Sequence, residues 1–586
     1  MKKARKGKAR PPRSKGRPKR KPAQAVRSAA PARESAAELY TGGFDFAPPP
    51  PSPADAGLLN KARTALRDGN PQEALASARE ALLASPKDDE ALNIAGVAAF
   101  QLGDSEIALD LLHTAVAYAP GNAEAQTNLG NVLAARGERE DAESAYRAAI
   151  EAGAGYADAH FNLGVLLDAV GRHAQALDSF ERAQTISPGH AGARAGAGNA
   201  LKALKRLDEA KAAYEEALQR NPSLAEARTN LAAVLQELGD FEGAAREAKR
   251  AFETDSDLLE AEYNYAIALQ ELERYEEAIE AYRDVLLHAP QFAPCALNIG
   301  YGLQQLGRFD EAEEAFKQTI AIDPGFAKAH VNLADLYLQQ GNPKAALSVC
   351  DNYLQNHPGQ TDLLAFKAIS HWDLGQENEA RMLTDFDRFV RTVRITPPDN
   401  HDGLDAFNEA LCEHLLAHPT LTFAPQSHAT RKGRHSGELL ADPKGPVAGL
   451  ESEILRLAAE YRSSLESDPN HPFVARAPGD WTLSVWGVVM QASGHQIPHI
   501  HPAAWLSGVY YPMLPEIIGD DEGGKAGWIE FGRPPAHFHN AREPETLSVQ
   551  PETGLMVLFP SYFYHHTVPF ESEGTRISIA FDLMPA

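Results

Sequence analysis

The chain has 586 residues, more than a single hydrophobic core accommodates, so at least two domains are expected. Its formal net charge is −24, yet residues 1–35 hold fourteen lysines and arginines against one acid, which leaves an excess of 37 negative charges in the rest of the chain. Three scattered cysteines argue against a disulfide-built secreted domain. No apolar run approaches the ~18 residues of a membrane span, and no apolar segment follows the N-terminal charges, so we expect a cytoplasmic protein without a membrane partner.

Residues 1–52 are rich in lysine, arginine, proline, alanine and serine. Almost nothing in this basic arm could form a core, so we expect it to be disordered. Residues 15–21 resemble an AT-hook, the Gly-Arg-Pro element that places arginine in a narrow minor groove. A solvated basic tail explains so short a match more simply. We therefore expect the basic arm to make weak nucleic-acid contact at most.

From residue 53 to about residue 392 the sequence repeats every 34 positions. The small residue of each repeat allows two helices to approach, and glycine and proline columns mark the ends of the helices. The alanine column is Ala74, Ala108, Ala142, Ala176, Ala210, Ala244, Ala278, Ala312, Ala346 and Ala380. This pattern resembles the tetratricopeptide repeat (TPR) family, which implies ten repeats in an all-α superhelical solenoid with a concave groove.

An asparagine column runs through the first helix of most repeats, at Asn128, Asn162, Asn230, Asn264, Asn298 and Asn332. An asparagine side chain offers both a donor and an acceptor, which suits capture of an extended peptide through its backbone amides. The TPR superhelix of protein O-GlcNAc transferase binds peptide through similarly placed asparagines. Asparagine is also common at this TPR position, so a peptide groove and an ordinary repeat feature both stay open.

Beyond residue 392 the period stops, and a C-terminal domain is expected over residues 393–586. Leu404–Leu416 and Leu450–Leu465 have the 3.6-residue apolar spacing of amphipathic helices. After residue 480 short apolar segments alternate with glycine and proline turns, which favours a β-sandwich or jelly roll over about 480–583. The predicted strands are Trp481–Met490, Trp505–Tyr511, Trp528–Phe531, Gly554–Phe559 and Arg576–Phe581.

Histidines in this β region form a candidate metal site. His499 and His501 are two positions apart, so on a strand they point to the same face and can share one metal. His565 and His566 are adjacent and face opposite sides, so only one of them can join that metal. Neutral imidazole is a good ligand for divalent iron.

Arginine and serine on one face of the last predicted strand form a candidate anion site. Arg576 and Ser578 could hold a carboxylate by an ion pair and a hydroxyl hydrogen bond. Together with the histidines they fall in three ordered blocks, which read His499-Ile-His501-Pro…Leu506-Ser-Gly-Val-Tyr-Tyr511, Phe559-Pro-Ser561…His565…Pro569 and Arg576-Ile-Ser578. These blocks resemble the 2-oxoglutarate/Fe(II) oxygenase superfamily, in its bacterial and phage branch.

The resemblance implies a double-stranded β-helix, or jelly roll, with Fe(II) and 2-oxoglutarate as cofactors. It implies that His499 and His565 are iron ligands. It also implies that Arg576 and Ser578 anchor the distal carboxylate of 2-oxoglutarate, and that Tyr511 donates a hydrogen bond to that carboxylate.

The sequence departs from the superfamily at one position. The usual pattern is His-x-Asp/Glu…His, and His501 stands where the carboxylate is expected. Three histidines give iron no anionic ligand, which should shift its redox potential and weaken retention of Fe(II). We predict His501 as the third ligand, and Glu530 is the alternative carboxylate that could complete the site.

The favoured function is therefore hydroxylation of a protein or peptide side chain, with the substrate captured in the TPR groove. Two alternatives stay open. The oxygenase could act on a small molecule or a glycan while the repeats recruit a partner. The whole chain could also be an interaction scaffold whose β domain lost catalysis when the carboxylate ligand was replaced.

Overall fold

The structure, a computed structural model, describes residues 56–153, 155–398, 401–424, 429–519 and 524–586. The basic arm and its AT-hook-like segment lie outside the described residues. Contacts divide the chain into two compact units at Gly302/Leu303. None of the described helices is long and apolar enough to cross a bilayer.

The first unit is built from helices that follow one another in pairs. Their bounds are α1 Ala56–Arg67, α2 Pro71–Ala84, α3 Asp89–Gln101, α4 Ser105–Tyr118, α5 Ala123–Ala135, α6 Arg139–Ala152, α7 Ala157–Ala169, α8 His173–Ile186, α9 Ala191–Ala203, α10 Leu207–Arg220, α11 Ala225–Glu237, α12 Phe241–Thr254, α13 Leu259–Glu271, α14 Tyr275–His288 and α15 Ala293–Gln305. The last of these helices crosses the boundary between the units.

Close approach of the two helices of each repeat follows from small residues at fixed positions. Every member of the alanine column is at most 1% exposed. At Gly130 in α5, an added Cβ would lie 2.5 Å from a ring carbon of Tyr146 in α6. The aromatic ring of the second helix therefore occupies the space that a side chain on the first helix would need. The periodic small residues thus set the spacing between helices.

Glycine at the end of the first helix has positive φ in eight repeats. These glycines are Gly69, Gly103, Gly137, Gly171, Gly239, Gly307, Gly341 and Gly375, with φ between 65° and 89°. The same position is occupied by Lys205 (φ 60°) and Glu273 (φ 58°) where the glycine column is interrupted. The backbone turn is therefore kept even where the residue type does not favour it.

The second unit begins with further repeat helices and continues into a β domain. Its helices are α16 Phe309–Ile322, α17 Ala327–Gln339, α18 Pro343–Leu354, α19 Thr361–Asp373, α20 Glu377–Leu383, α21 Phe386–Phe389, α22 Leu404–Leu416 and α23 Val447–Ser464. Its strands are β1 Arg391–Arg394, β2 Thr422–Phe423, β3 Thr430–His435, β4 Trp481–Gln496, β5 Leu506–Met513, β6 Ile529–Phe531, β7 Leu547–Val549, β8 Leu555–Pro560, β9 His565–Thr567 and β10 Arg576–Pro585.

The strands form two antiparallel sheets. The larger sheet has the order β1-β8-β5-β10-β4-β3-β2, and the smaller has the order β7-β6-β9. Several neighbours in the larger sheet are distant in sequence, as in β10 between β4 and β5, whereas β2, β3 and β4 are consecutive. This curled antiparallel arrangement is consistent with the predicted jelly roll. The fold class expected from the sequence, a helical solenoid followed by an antiparallel β domain, is confirmed.

Within the second unit the last repeats pack against the loop that joins β6 to β7, residues 532–546. The backbone N–H of His539 donates to the carbonyl of Leu338 in α17 at 3.1 Å. The indole Nε1 of Trp372 in α19 donates to the carbonyl of Glu543 at 2.7 Å. These bonds attach the final repeats to the same loop that leaves the small sheet beside the predicted metal site.

Candidate metal centre and cosubstrate pocket

Three histidines converge at one point of the β domain. One ring nitrogen from each of His499, His501 and His565 lies within 4.8 Å of the other two, which is close enough for one metal ion to be shared. The ring centroids of His499 and His565 are 4.3 Å apart. The sequence-predicted trio is therefore brought together.

His499 and His501 were predicted to lie on a strand. They lie instead in the extended segment that follows β4. His499 and His565 exchange backbone hydrogen bonds at 3.1 Å, which forms an isolated antiparallel bridge. The N–H of His501 donates to the carbonyl of Ser561 at 2.9 Å. Because this segment pairs like a strand, the two side chains still share one face, and the argument from spacing holds.

Each of the three rings has its Nδ1 atom engaged. Nδ1 of His499 lies 2.8 Å from the Ile497 carbonyl, and Nδ1 of His565 lies 3.0 Å from the Phe563 carbonyl. Nδ1 of His501 lies 2.7 Å from a carboxylate oxygen of Asp582, a residue the sequence argument did not select. These partners fix the ring orientations and leave each Nε2 as the available metal ligand.

Burial favours the neutral imidazoles that bind metal. Burial, together with the neighbouring His501, lowers the pKa of His499 to about 3. Burial also lowers the pKa of His565 well below its usual range, with His499 and His501 adding to the effect. The three neutral rings lie close together, and each has its Nδ1 in a hydrogen bond and its Nε2 available. This arrangement fits a divalent metal ion.

Arg576 is 2% exposed and has no acidic partner among the described residues. Its Nη1 donates to the hydroxyl of Ser578 at 3.3 Å, and its guanidinium carbon lies 5.1 Å from the ring centre of Tyr511. The Arg576 Nε and the Tyr511 hydroxyl are buried without a hydrogen-bond partner. A buried cation with unused donors around it fits an anionic ligand such as the distal carboxylate of 2-oxoglutarate.

One cavity of about 380 Å³ is lined by both groups of residues. Four of its lining residues alternate along β10 and so occupy one face of that strand: Arg576, Ser578, Ala580 and Asp582. The histidines and Tyr511 line the same space. The buried arginine and the three-histidine cluster therefore line the same cavity.

Glu530, the alternative ligand, has other partners. Its Oε1 accepts from Nε of Arg533 at 2.6 Å, and its Oε2 accepts from Ser548 at 3.2 Å. His566 faces it, with Nε2 3.9 Å from Oε1, whereas His565 faces the cluster. The adjacent histidines thus point to different neighbours, and the geometry favours His501 over Glu530 as the third ligand.

Members of the asparagine column donate to amides of the preceding repeat. Nδ2 of Asn128 donates to Asn93 at 2.8 Å, and Nδ2 of Asn162 donates to Asn131 at 2.8 Å. Among the others, Asn230 donates to Asn199 at 3.2 Å, Asn298 donates to the Tyr282 hydroxyl at 3.1 Å, Asn264 has a buried Nδ2 without a partner, and Asn332 is half-buried. These bonds hold several amides in fixed orientations.

Fold and site together define a helical-repeat protein that carries a β domain with three histidines placed so that they could hold one metal ion. The family described as "Putative 2OG-Fe(II) oxygenase" matches residues 484–582. Tetratricopeptide repeat families match residues 59–122, 95–157, 127–191, 198–239, 230–294 and 303–369. The chain therefore belongs to the TPR proteins and carries a C-terminal domain of this 2OG-Fe(II) oxygenase family.

Solved structures similar to this chain include several that are described as TPR proteins. YrrB, described as a TPR protein with an unusual peptide-binding site, is 26% identical, with 32% of this chain and 96% of YrrB covered and a TM-score of 0.30. MamA is 27% identical, with 28% and 96% covered and a TM-score of 0.26. A TPR protein from Parabacteroides merdae is 18% identical, with 42% and 98% covered and a TM-score of 0.32. No curated protein matches the chain.

Proposed function

We propose that this chain is an Fe(II)- and 2-oxoglutarate-dependent oxygenase that hydroxylates a protein or peptide held by its repeats. One observation carries the proposal. A single cavity joins three converging imidazoles to a buried arginine that lacks an acidic partner among the described residues. That pairing of a metal site with a carboxylate site fits a metal-bound oxo acid, and the family match supports it.

When bound, Fe(II) and 2-oxoglutarate would supply oxidation of an unactivated C–H bond by O2, with one oxygen atom entering the substrate as hydroxyl and the other entering succinate as 2-oxoglutarate loses carbon dioxide. His499, His501 and His565 would hold the metal through Nε2. Arg576 would bind the distal carboxylate, with the hydroxyls of Ser578 and Tyr511 as further hydrogen-bond partners.

The size and the lining of the cavity indicate what kind of substrate it can accept. A volume of about 380 Å³ is at the small end of ligand pockets, so it suits a cosubstrate and one inserted side chain. Val488, Ile529 and Phe559 give it an apolar wall. That wall would keep water from the reacting centre, which an enzyme producing a strong oxidant needs. A side chain presented by a protein or peptide is therefore the favoured substrate.

The repeats are the proposed means of holding that substrate. An extended peptide needs donors and acceptors at regular intervals, and the asparagine column offers amides at a 34-residue period. Bonds such as that from Asn128 to Asn93 use one N–H of the donor amide and fix its plane. Fixed amides lose little freedom when a peptide binds, which favours affinity.

To test the proposal, proteins extracted from the source cell are supplied as the substrate. The full chain is compared with a His565→Ala variant and with a fragment of residues 303–586, the second compact unit. We expect the full chain to make specific peptides one oxygen atom heavier, as measured by mass spectrometry. His565→Ala should give none of these products. The fragment should retain succinate release but lose most of the peptide products, because it lacks most of the repeats.

Two results would contradict the proposal in different ways. Heavier peptides that form equally with His565→Ala would remove the metal site from the reaction. Equal peptide products from the fragment and the full chain would keep the oxygenase but remove residues 1–302 from substrate capture.

A further inference from the structure

Asp582 is the last residue in the row on β10 that begins with Arg576. Its Oδ1 atom lies 2.7 Å from Nδ1 of His501 and accepts a hydrogen bond of 2.6 Å from the Ser507 hydroxyl. The side chains of His501 and Asp582 are only 12% and 16% exposed. A carboxylate is thus held against the back of one predicted metal ligand, in a position sheltered from solvent.

The other two rings have no such partner. Nδ1 of His499 and Nδ1 of His565 face the backbone carbonyls of Ile497 and Phe563, which are neutral. His501 is also the residue that stands where related sites have a metal-binding carboxylate. Among the described residues, the one anionic contact of the cluster therefore occurs at the position where the wider superfamily has an anionic ligand.

We propose that Asp582 supplies, through His501, the negative charge that the three-histidine centre lacks. Asp582 acts as a positioning residue: it holds the His501 proton on Nδ1, aims Nε2 at the metal and makes that nitrogen a stronger donor. The inference rests on the proposed function, because it assumes that the three histidines bind Fe(II). With Asp582 behind His501, the three-histidine centre has a negative charge that partly balances the charge of its metal.

A purely structural role for Asp582 is the rival explanation. Ser507 and Asp582 are register partners on β5 and β10, so their hydrogen bond could simply connect the two strands. In that case the charge of Asp582 would not matter to a metal. The experiment must therefore separate the charge of the carboxylate from its part in strand pairing.

The full chain and five variants are titrated anaerobically with Fe(II), and with Co(II) as a spectroscopic probe. Asp582→Asn keeps the shape and an acceptor oxygen but removes the charge, so metal affinity should fall by roughly 10–100-fold. The Fe(III)/Fe(II) potential should become more positive, because lost negative charge disfavours the ferric ion. Glu530→Gln is the matched control, a buried carboxylate of the same domain bonded to Arg533, and it should leave affinity unchanged.

Exchanging the position of the charge gives a second, independent test. His501→Asp puts an anionic ligand at the metal itself, so Asp582 no longer needs to supply the charge through residue 501. Asp582→Asn should therefore cost little metal affinity in the His501→Asp background, although it costs roughly 10–100-fold in the parent chain. A structural role for Asp582 predicts instead the same loss in both backgrounds.

Ser507→Ala keeps the charge and removes the bond between strands, so it should change metal affinity by less than about threefold, well below the loss expected for Asp582→Asn. Equal losses from Ser507→Ala and Asp582→Asn would overturn the inference, as would an Asp582→Asn variant with the parental affinity and potential. If the parent chain itself binds no metal, the metal centre and the proposed function fail together. A loss of metal affinity that Asp582→Asn causes in the parent chain but not in the His501→Asp background, and that Ser507→Ala does not cause, supports the inference.

Discussion

Under the proposed function, Arg576 is the residue on which binding of 2-oxoglutarate should depend most directly. It is 2% exposed, and burial lowers the pKa of its guanidinium. Arg576→Met keeps most of the volume and removes the charge. Removing one partner of a sheltered charge pair costs about 3–5 kcal/mol, so affinity for 2-oxoglutarate should fall ~100-fold or more.

The measurement is calorimetric titration of 2-oxoglutarate into metal-loaded protein, with Arg533→Met as the control. Arg533 pairs with Glu530 and its side chain is 46% exposed, so that change should leave the affinity unchanged. The ligand-free Arg576→Met protein should unfold at the same temperature as the parent or a higher one, because an unpaired buried charge is removed. Parental affinity in Arg576→Met would place the anion site elsewhere.

At the scale of single residues, the sequence could predict the groups whose roles depend on spacing. His499, His501 and His565, together with Arg576, occur at motif positions, and the cavity contains all of them. Asp582 was missed because one acid six positions beyond an arginine has no distinctive pattern. The continuing alternation along β10 was the available signal, since every second residue from Arg576 faces the cavity.

At the scale of elements, the turn after each first helix offers a direct test. Lys205 has φ of 60° at a position where eight other repeats have glycine. The left-handed conformation is costly for a residue with a side chain, whereas glycine adopts it freely. The ion pair from Lys205 to Glu237 contributes little to set against this, since the lysine side chain is 73% exposed.

Lys205→Gly should therefore raise the free energy of unfolding by about 0.5–1 kcal/mol. The check is chemical denaturation of the first unit within the full chain. Lys211→Gly, in the interior of α10, is the matched control and should lower stability by about 1 kcal/mol, because glycine disfavours a helix interior. If both changes destabilise the protein, the turn is not strained at Lys205.

Among the elements of the β domain, length decided which ones the sequence could predict. Leu404–Leu416 forms a helix with the predicted bounds, and all five predicted strands exist with ends shifted by a few residues. β1, β2, β7 and β9 were missed because two to four residues are too few for an alternating pattern, whereas β6, which has three, was predicted as part of the run Trp528–Phe531. β3 was missed because Thr430–His435 is mostly polar, and it is placed by pairing with β4.

At the scale of the whole molecule, the repeat period and the compact units do not coincide. The 34-residue period continues through residue 302, where contacts divide the chain. Residues 303–383 belong to the unit that contains the β domain. Hydrogen bonds over long sequence distances account for this, such as that from the Tyr562 hydroxyl to the Leu383 carbonyl at 2.5 Å. Periodicity detects local units, but it carries no information on such distant partners.

The boundary also bears on how the chain should be divided in experiments. A cut near residue 392 would separate β1 from the helices before it and would remove the partners of the loop at residues 532–546. A cut between Gly302 and Leu303 keeps these contacts intact, although it removes all but the last three residues of α15. The fragment of residues 303–586 is therefore the appropriate one for separating turnover of 2-oxoglutarate from capture of a substrate.

The most direct test of the central claim is Fe(II)-dependent release of succinate from 2-oxoglutarate by the full chain, supplied with oxygen and cell-extract proteins. His565→Ala and His566→Ala are compared, because the two residues are adjacent and both buried, yet only His565 faces the cluster. We predict that His565→Ala abolishes succinate release and that His566→Ala keeps most of it. Equal activity in the two variants, or a parent chain that releases no succinate with Fe(II), would contradict the account.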